Sequence, residues 1–354
     1  MDPTLLRDLA KAGLAAPSAD NRHRFQLVPA GQHSLRVVGE SDLFNGMSRH
    51  RRLLTLFSLG SVVENIALRA AERAMVTQVH WLPEGEGPCV ALLEFNPGGS
   101  VAGMEAMAAA IPERHTNRRM YSGPRLIPGE RDSLDRAAQF GGVQFEWLEG
   151  QRRKAAHALI WKAETERFRR PALHEELFGS IRFELDWRSS TDEGLPPAAL
   201  EVEAPMRPIF KVMRHWPVMK ALTFVGAHYM LGVRAGLLPC AQAPELGVIS
   251  SPRPPTEAAL ITGRSFQRLW LQAAALGLAL QPMAASAVLL FQDDVPGGMD
   301  PAVREHISAG WRAMLGDSRP MMVFRLGRAA PATTRTLRPD VETVLTGAAI
   351  AKVS

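Results

Sequence analysis

Apolar residues along the first hundred positions follow two different spacings. Leu5, Leu6, Leu9 and Ala12 recur as on one face of a helix. Phe25-Gln26-Leu27-Val28 and Leu35-Arg36-Val37-Val38 read instead as two short strands around a turn at Gly31. From position 59 to 75 most faces are apolar, with Val62, Val63, Ile66, Ala67 and Ala70, the pattern of a central buried helix. Residues 77–81 and 89–95 follow as strands, parted by the turn Pro83-Glu84-Gly85-Glu86-Gly87 and ended by Asn96-Pro97-Gly98-Gly99.

A similar order returns late in the chain. Residues 246–249 read as a strand, 250–255 as a loop, and 257–278 as a long apolar helix. A strand or bend begins at Leu280, and 320–326 is a closing strand. GSVVENIALRAAERAMVTQVHWLPE from Gly60 resembles GRSFQRLWLQAAALGLALQPMAAS from Gly263, and PCVALLEF from Pro88 resembles PMMVFRLG from Pro320. The displacements are 203 positions (263 − 60) and 232 (320 − 88), so one copy carries an insertion. Four elements recurring in order indicate a duplicated unit. Between the copies, residues 151–240 are helix-rich and broken at Arg170-Pro171 and Gly194-Leu195-Pro196-Pro197. The last piece, 206–232, mixes aromatic and basic residues, including Phe210, Met213, Trp216, Phe224, His228 and Tyr229. It is long enough to cap a pocket.

Composition narrows this picture. At 354 residues the chain exceeds the roughly 250–300 at which one core stops growing, which favours two lobes. Cys89 and Cys240 are too few for a disulfide framework or a Cys-based metal site. The ten histidines show neither His-x-x-x-His nor His-Glu-x-x-His spacing, so no catalytic metal is expected. A reducing cytoplasm fits, and MDPTLLR at the N-terminus has no basic n-region or cleavage site. The apolar run 271–291 is interrupted by Gln272, Gln281, Pro282 and Ser286, as a buried helix followed by a strand would be. No membrane partner is expected. The net charge of +5 and pI of 9.6 come mostly from arginine and suit an anionic cofactor. Arg49-His50-Arg51-Arg52 has no nucleic-acid signature beside it and is expected to be a solvated face.

Three motifs carry candidate chemistry. Ala15-Ala16-Pro17-Ser18-Ala19-Asp20-Asn21 closes a helix just before a strand and offers side chains that donate or accept hydrogen bonds. Arg114-His115-Thr116-Asn117-Arg118 places two arginines four apart around a hydroxyl, a grip suited to phosphate. The closing strand ends in Arg325 and Arg328, cations able to sit over a flavin's pyrimidine edge or phosphate. No Gly-x-Gly-x-x-Gly follows a strand, so a Rossmann dinucleotide site is not expected.

Together these residues resemble the nitroreductase superfamily of FMN proteins, over most of 1–135 and 240–330. In that family an Arg-x-Ser/Thr-x-Arg/Lys element binds the ribityl phosphate and pyrimidine ring, which here would be Arg114, Thr116 and Arg118, with His115 between them. The family's Ala-Pro-Ser-x-x-Asn loop corresponds to Pro17, Ser18 and Asn21. The backbone facing the flavin N5 corresponds to Gln281, Pro282, Met283 and Ala284 after Gly277-Leu278, and the basic residue of the closing strand to Arg325 or Arg328. The family's common Gln-Pro-Trp is replaced by His23-Arg24-Phe25.

The order is most similar to the two-lobed, lidded Acg-type subgroup. The resemblance implies an α+β, nitroreductase-like fold of two fused half-domains imitating a dimer. The divisions expected are 1–100 (first lobe), 101–150 (start of the second), 151–240 (helical lid) and 241–354 (remainder). The loop occurs only in the first copy and the Arg-x-Thr-x-Arg element only in the second, so one composite site is expected. FMN would be the cofactor and the catalytic group, with NAD(P)H as a transient reductant and a small organic molecule as substrate. Trp216, His228 and Tyr229 would meet substrate from the lid. The chain would act as a monomer-like pseudo-dimer or a homodimer. An FMN-sequestering protein with a closed lid, or an oxygen-using tailoring enzyme, are the alternatives. A flavin performs the hydride chemistry itself, so no triad or carboxylate pair is needed.

Overall fold

The computed structural model describes residues 1–99 and 103–345. Helix α1 (Pro3–Leu14) begins where the Asp2 carboxylate accepts the Leu5 amide and Pro3 opens the first turn. Its buried stripe includes Leu6, Leu9 and Leu14. Strands β1 (Gln26–Pro29) and β2 (Ser34–Val38), helix α2 (Arg49–Ala71), and strands β3 (Met75–Trp81) and β4 (Cys89–Pro97) complete a first unit. Its four strands are antiparallel in the order β1-β2-β4-β3.

The short α3 (Met104–Ala109) leads into a second unit, α4 (Pro128–Ala138) and β5 (Gln144–Trp147). The chain then leaves the sheet through α5 (Gly150–Arg169), α6 (Pro171–Gly179), α7 (Arg207–Val212), α8 (Trp216–Thr223), α9 (Ala227–Gly232) and α10 (Leu238–Gln242). It returns as β6 (Glu245–Ser251), α11 (Pro255–Ala275), β7 (Ala279–Pro282), α12 (Ala285–Val288), α13 (Pro301–Leu315) and β8 (Arg319–Gly327). The second sheet is again antiparallel, in the matching order β5-β6-β8-β7. Each sheet has a register shift at the corresponding place, Val37/Val38 in β2 and Ile249/Ser250 in β6. The fold is α+β.

The two long helices, α2 and α11, cross at two glycines. A β-carbon on Gly60 would stand 2.2 Å from the Leu260 carbonyl oxygen, and one on Gly263 2.3 Å from that of Phe57. Only glycine allows this approach. Around the crossing, Ser61 Oγ donates to the Gly263 carbonyl (3.0 Å) and Gln267 donates to Asn65 Oδ1 (2.7 Å). Fully buried Glu64 accepts from Arg264 and Arg268, each at 2.7 Å. One apolar core runs through both helices and both sheets, from Leu9 and Leu56 to Leu269 and Phe324.

Several sequence expectations change. Helix α2 starts ten residues before the expected position 59, so Arg49-His50-Arg51-Arg52 is its first turn and not a solvated face. His50 is buried and bonded to Glu176 (2.9 Å), and Arg51 pairs with Glu176 at 3.2 Å. Tertiary partners hold these polar residues, which apolar spacing does not register. The run 271–291 is the end of α11, then β7, α12 and a 3₁₀ turn. Among the described residues one helix, α2, is long and apolar enough to cross a membrane, and 78% of its apolar window is buried inside the protein. Residues 206–232, expected as one lid helix, form three short ones, with Pro208 and Pro217 in first turns and Gly226 at φ 82°.

After β8 the chain crosses back to the first unit. Leu345 bridges Leu27, and the Thr343 carbonyl accepts from Gln26. This return brings Arg338 to the first unit, where it meets Asn21.

Candidate functional site

A cavity of about 710 Å³ lies on the seam between the two units, roofed by the helical insertion. Its volume is in the range of small-molecule and cofactor sites. The first unit contributes residues 17–20 and the α2 face with His50, Leu54, Phe57, Ser58 and Ser61. The second contributes Thr116, Arg118, Phe266, Trp270 and residues 281–285. The insertion adds Phe168, Leu173, Phe210, Met213, Met230 and Leu231.

Local sequence explains the loop. Pro17 follows α1, and the next residues turn sharply, with Asp20 and Asn21 at φ 56° and 54°. Asx residues enter this left-handed region more readily than most. Buried Asn21 donates to the Thr191 carbonyl (3.3 Å) and accepts from Arg338 (3.0 Å). It therefore ties three distant segments together and does not line the cavity. His23 Nε2 lies 3.2 Å from Ser18 Oγ and 3.3 Å from Asn21 Oδ1. A smaller cavity of about 310 Å³ adjoins through Pro17, Ser18 and Ala19, and His23 and Arg51 line it.

Behind the loop is a cluster of positive charge. Arg114 is buried, donates to the Ala15 carbonyl (3.0 Å) and stands 4.5 Å over the Trp270 ring. Against the expectation, Arg114 does not line the cavity, nor does Arg338, and the Nε of each has no partner. Burial first, then Arg338 and Arg114, push the His23 imidazole down to about 3, so it is neutral at ordinary pH. Burial also lowers Arg338 to about 10. Among the described residues no carboxylate pairs with Arg114, Arg118, Arg325 or Arg338. A buried cation without a counter-charge is costly, and an anionic ligand would relieve it.

The remaining expected residues divide. Thr116 and Arg118 face the cavity, and Arg118 also donates to the Ala199 carbonyl of the insertion (3.2 Å). Gln281, Pro282, Met283 and Ala284 face it where β7 ends. Arg325 does not. It is wholly buried, donates to Gln281 Oε1 (2.9 and 2.7 Å) and the Arg119 carbonyl (2.7 Å), and lies 3.7 Å over the Tyr121 ring. It thus orients Gln281 from behind. Arg328 points away and pairs with Glu130 at 2.6 Å. His115 donates Nδ1–H to the Glu113 carbonyl (2.8 Å), outside the cavity.

The expected lid contacts are also displaced. Trp216 packs on His174, with ring centroids 5.2 Å apart, inside the insertion's own apolar cluster. His228 is buried against Tyr229, which is exposed, and none of the three lines the cavity. Helix phase decides this: once residues 206–232 break into three pieces, different side chains turn inward. Arg338 escaped the sequence reading because it lies in a loop without periodicity. One signal was available, since residues 318–339 hold five arginines and no Asp or Glu. Glu176 and Trp270 carry no motif.

No protein-family model matches the chain. An uncharacterized protein of Mycobacterium tuberculosis (strain CDC 1551 / Oshkosh) is 24% identical over 283 residues, which is 78% of this chain and 38% of that protein. The chain therefore spans less than half the length of this relative. Among solved structures, the chain is similar to an FMN-dependent nitroreductase of Mycobacterium smegmatis in complex with NADPH, at 16% identity and a TM-score of 0.39. That match covers 68% of this chain and 96% of the other. A nitroreductase with bound FMN from Desulfitobacterium hafniense gives 14% identity, a TM-score of 0.36 and coverage of 68% and 96%. A nitroreductase-like family protein from Bacillus cereus gives 12%, 0.34, and coverage of 67% and 92%.

Proposed function

We propose that the chain is an FMN-dependent oxidoreductase of the nitroreductase superfamily, transferring hydride or electrons to or from a small organic substrate. One observation carries this: the seam cavity gathers residues 17–18, 116, 118 and 281–284, distant in sequence, near Arg114 and Arg338, which no carboxylate pairs with among the described residues. The residues present fit FMN, because Thr116 and Arg118 line the cavity as hydrogen-bond donors, and the charges of Arg114 and Arg338 stand behind its wall. FMN, when bound, supplies the hydride chemistry. Arg114 and Arg338, which do not line the cavity, would favour the phosphate through their charge from behind the wall. Arg118 and Thr116 would donate to the cofactor's polar atoms, and Gln281, held by Arg325, would stand beside it where β7 ends. Phe168, Phe210 and Met213 exclude water from the opposite wall. NAD(P)H would visit the cavity transiently. We read the chain as cytoplasmic, where buried Cys89 and Cys240 stay reduced, and as the product of a duplication that placed both halves of a dimeric site in one polypeptide.

Flavin released from purified protein by denaturation should co-elute with FMN in chromatography. Recovery of FAD, or a colourless protein that does not bind added FMN, overturns the proposal. The insertion's large share of the cavity wall favours one second reading, an FMN-sequestering protein with little turnover. Stopped-flow mixing with NADPH separates the two: rapid bleaching of the flavin supports the enzyme, and a persistent oxidised spectrum supports sequestration.

A further inference from the structure

Seven of the eleven large apolar residues exposed on the described surface lie between positions 206 and 230, so one segment concentrates the patch. Phe224 and Val225 are 85% and 79% exposed, and Met230 is 72% exposed. They stand where the chain turns by 101° between α8 and the helix that begins at α9, which makes residues 224–226 an outward corner. Surface patches of this kind mark interaction sites. Along the segment itself the charge has one sign: no Asp or Glu occurs between Glu203 and Glu245, whereas Lys211, Arg214 and Lys220 are exposed.

We infer that the α7–α9 corner docks on an anionic phospholipid bilayer. Phe224 and Val225 enter the boundary between headgroups and acyl chains, and Lys211, Arg214 and Lys220 meet the anionic headgroups. Apolar corners flanked by cations bind such surfaces through both terms together. A second copy of this chain fits the patch less well, because a twofold contact sets the patch against itself and brings the same cations face to face. Met206 and Met230 are both exposed and both part of the cavity wall, so the docked face includes the cavity mouth. The inference does not depend on the flavin reading.

The test is co-sedimentation of the full chain with phosphatidylcholine vesicles, with and without phosphatidylglycerol. Partitioning onto the anionic vesicles should exceed that onto neutral ones by about tenfold or more and should fall as salt is raised. Phe224→Ser with Val225→Ser should lower it by about tenfold or more. Lys211→Glu with Lys220→Glu should abolish the preference for anionic lipid. All four side chains are exposed, and unchanged circular dichroism checks that the variants fold. Equal binding to both vesicle types, no binding, or binding unaffected by either pair overturns the inference. So does a concentration-dependent dimer in sedimentation velocity that the same substitutions abolish, with no vesicle binding.

Discussion

At the scale of single residues, Arg118 faces the cavity and no carboxylate forms an ion pair with it among the described residues. Arg118→Ala should lower FMN affinity ten- to hundredfold, the loss expected for a charge-assisted, partly desolvated contact of about 1.5–3 kcal/mol. Arg36→Ala is the matched control, because that side chain is half exposed and pairs with Glu84 on the surface. A fluorescence titration compares them, and equal affinities would count against the assignment. Arg51 is no control, since it pairs with Glu176. His23 sets a pH dependence. Above pH 6.5 it is neutral in both folded and unfolded chains; between 6.5 and about 3 only the unfolded chain takes the proton, so stability falls as pH falls through that window. Urea unfolding at pH 7 and pH 5 should show wild type losing about 1–2 kcal/mol more than His23→Gln.

At the scale of elements, the crossing of α2 and α11 orders the rest. A methyl group on Gly60 or Gly263 meets backbone oxygen of the facing helix, which cannot yield as a side-chain end can. Gly60→Ala and Gly263→Ala should each cost about 3 kcal/mol or more or prevent folding, whereas Gly129→Ala in α4, with open space around it, should be near neutral. Thermal unfolding followed by circular dichroism reads both. Both central helices were legible from their mostly apolar faces, though not the ten earlier residues of α2 or the contact between Gly60 and Gly263. Helix α4 and strand β5 were not: α4 is short and mostly polar, and β5 is a four-residue strand whose partner β6 lies almost a hundred residues later. The insertion's last helices were misread because apolar content alone does not reveal breaks at Pro217 and Gly226.

At the scale of the whole molecule, two units of matching strand order both line the larger cavity. In the first, residues 15–25 join α1 to β1 and form the loop at the cavity. In the second, only residues 139–143 join α4 to β5, and a β-carbon on Gly141 would stand 2.5 Å from the Ile261 side chain. Phe140 is occupied there by the guanidinium groups of Arg264 and Arg268, 4.6 and 4.8 Å from its ring. Flavin titration should therefore saturate at one FMN per chain, and sedimentation velocity without lipid should give a monomer. Two flavins per chain would contradict the filled second position.

By itself the sequence determined the features that depend on near neighbours: helix and strand spacing, the two long apolar helices, the turn after α1, and the arginine–hydroxyl–arginine spacing. Each is encoded within a few residues, where periodicity and turn chemistry act. Only the tertiary structure decided which cations share a cluster, that Arg325 supports Gln281 from behind, that Arg328 faces Glu130, and that Arg338 returns to Asn21. Those outcomes depend on helix phase and on contacts between segments hundreds of residues apart, which burial and packing set together and no local pattern records.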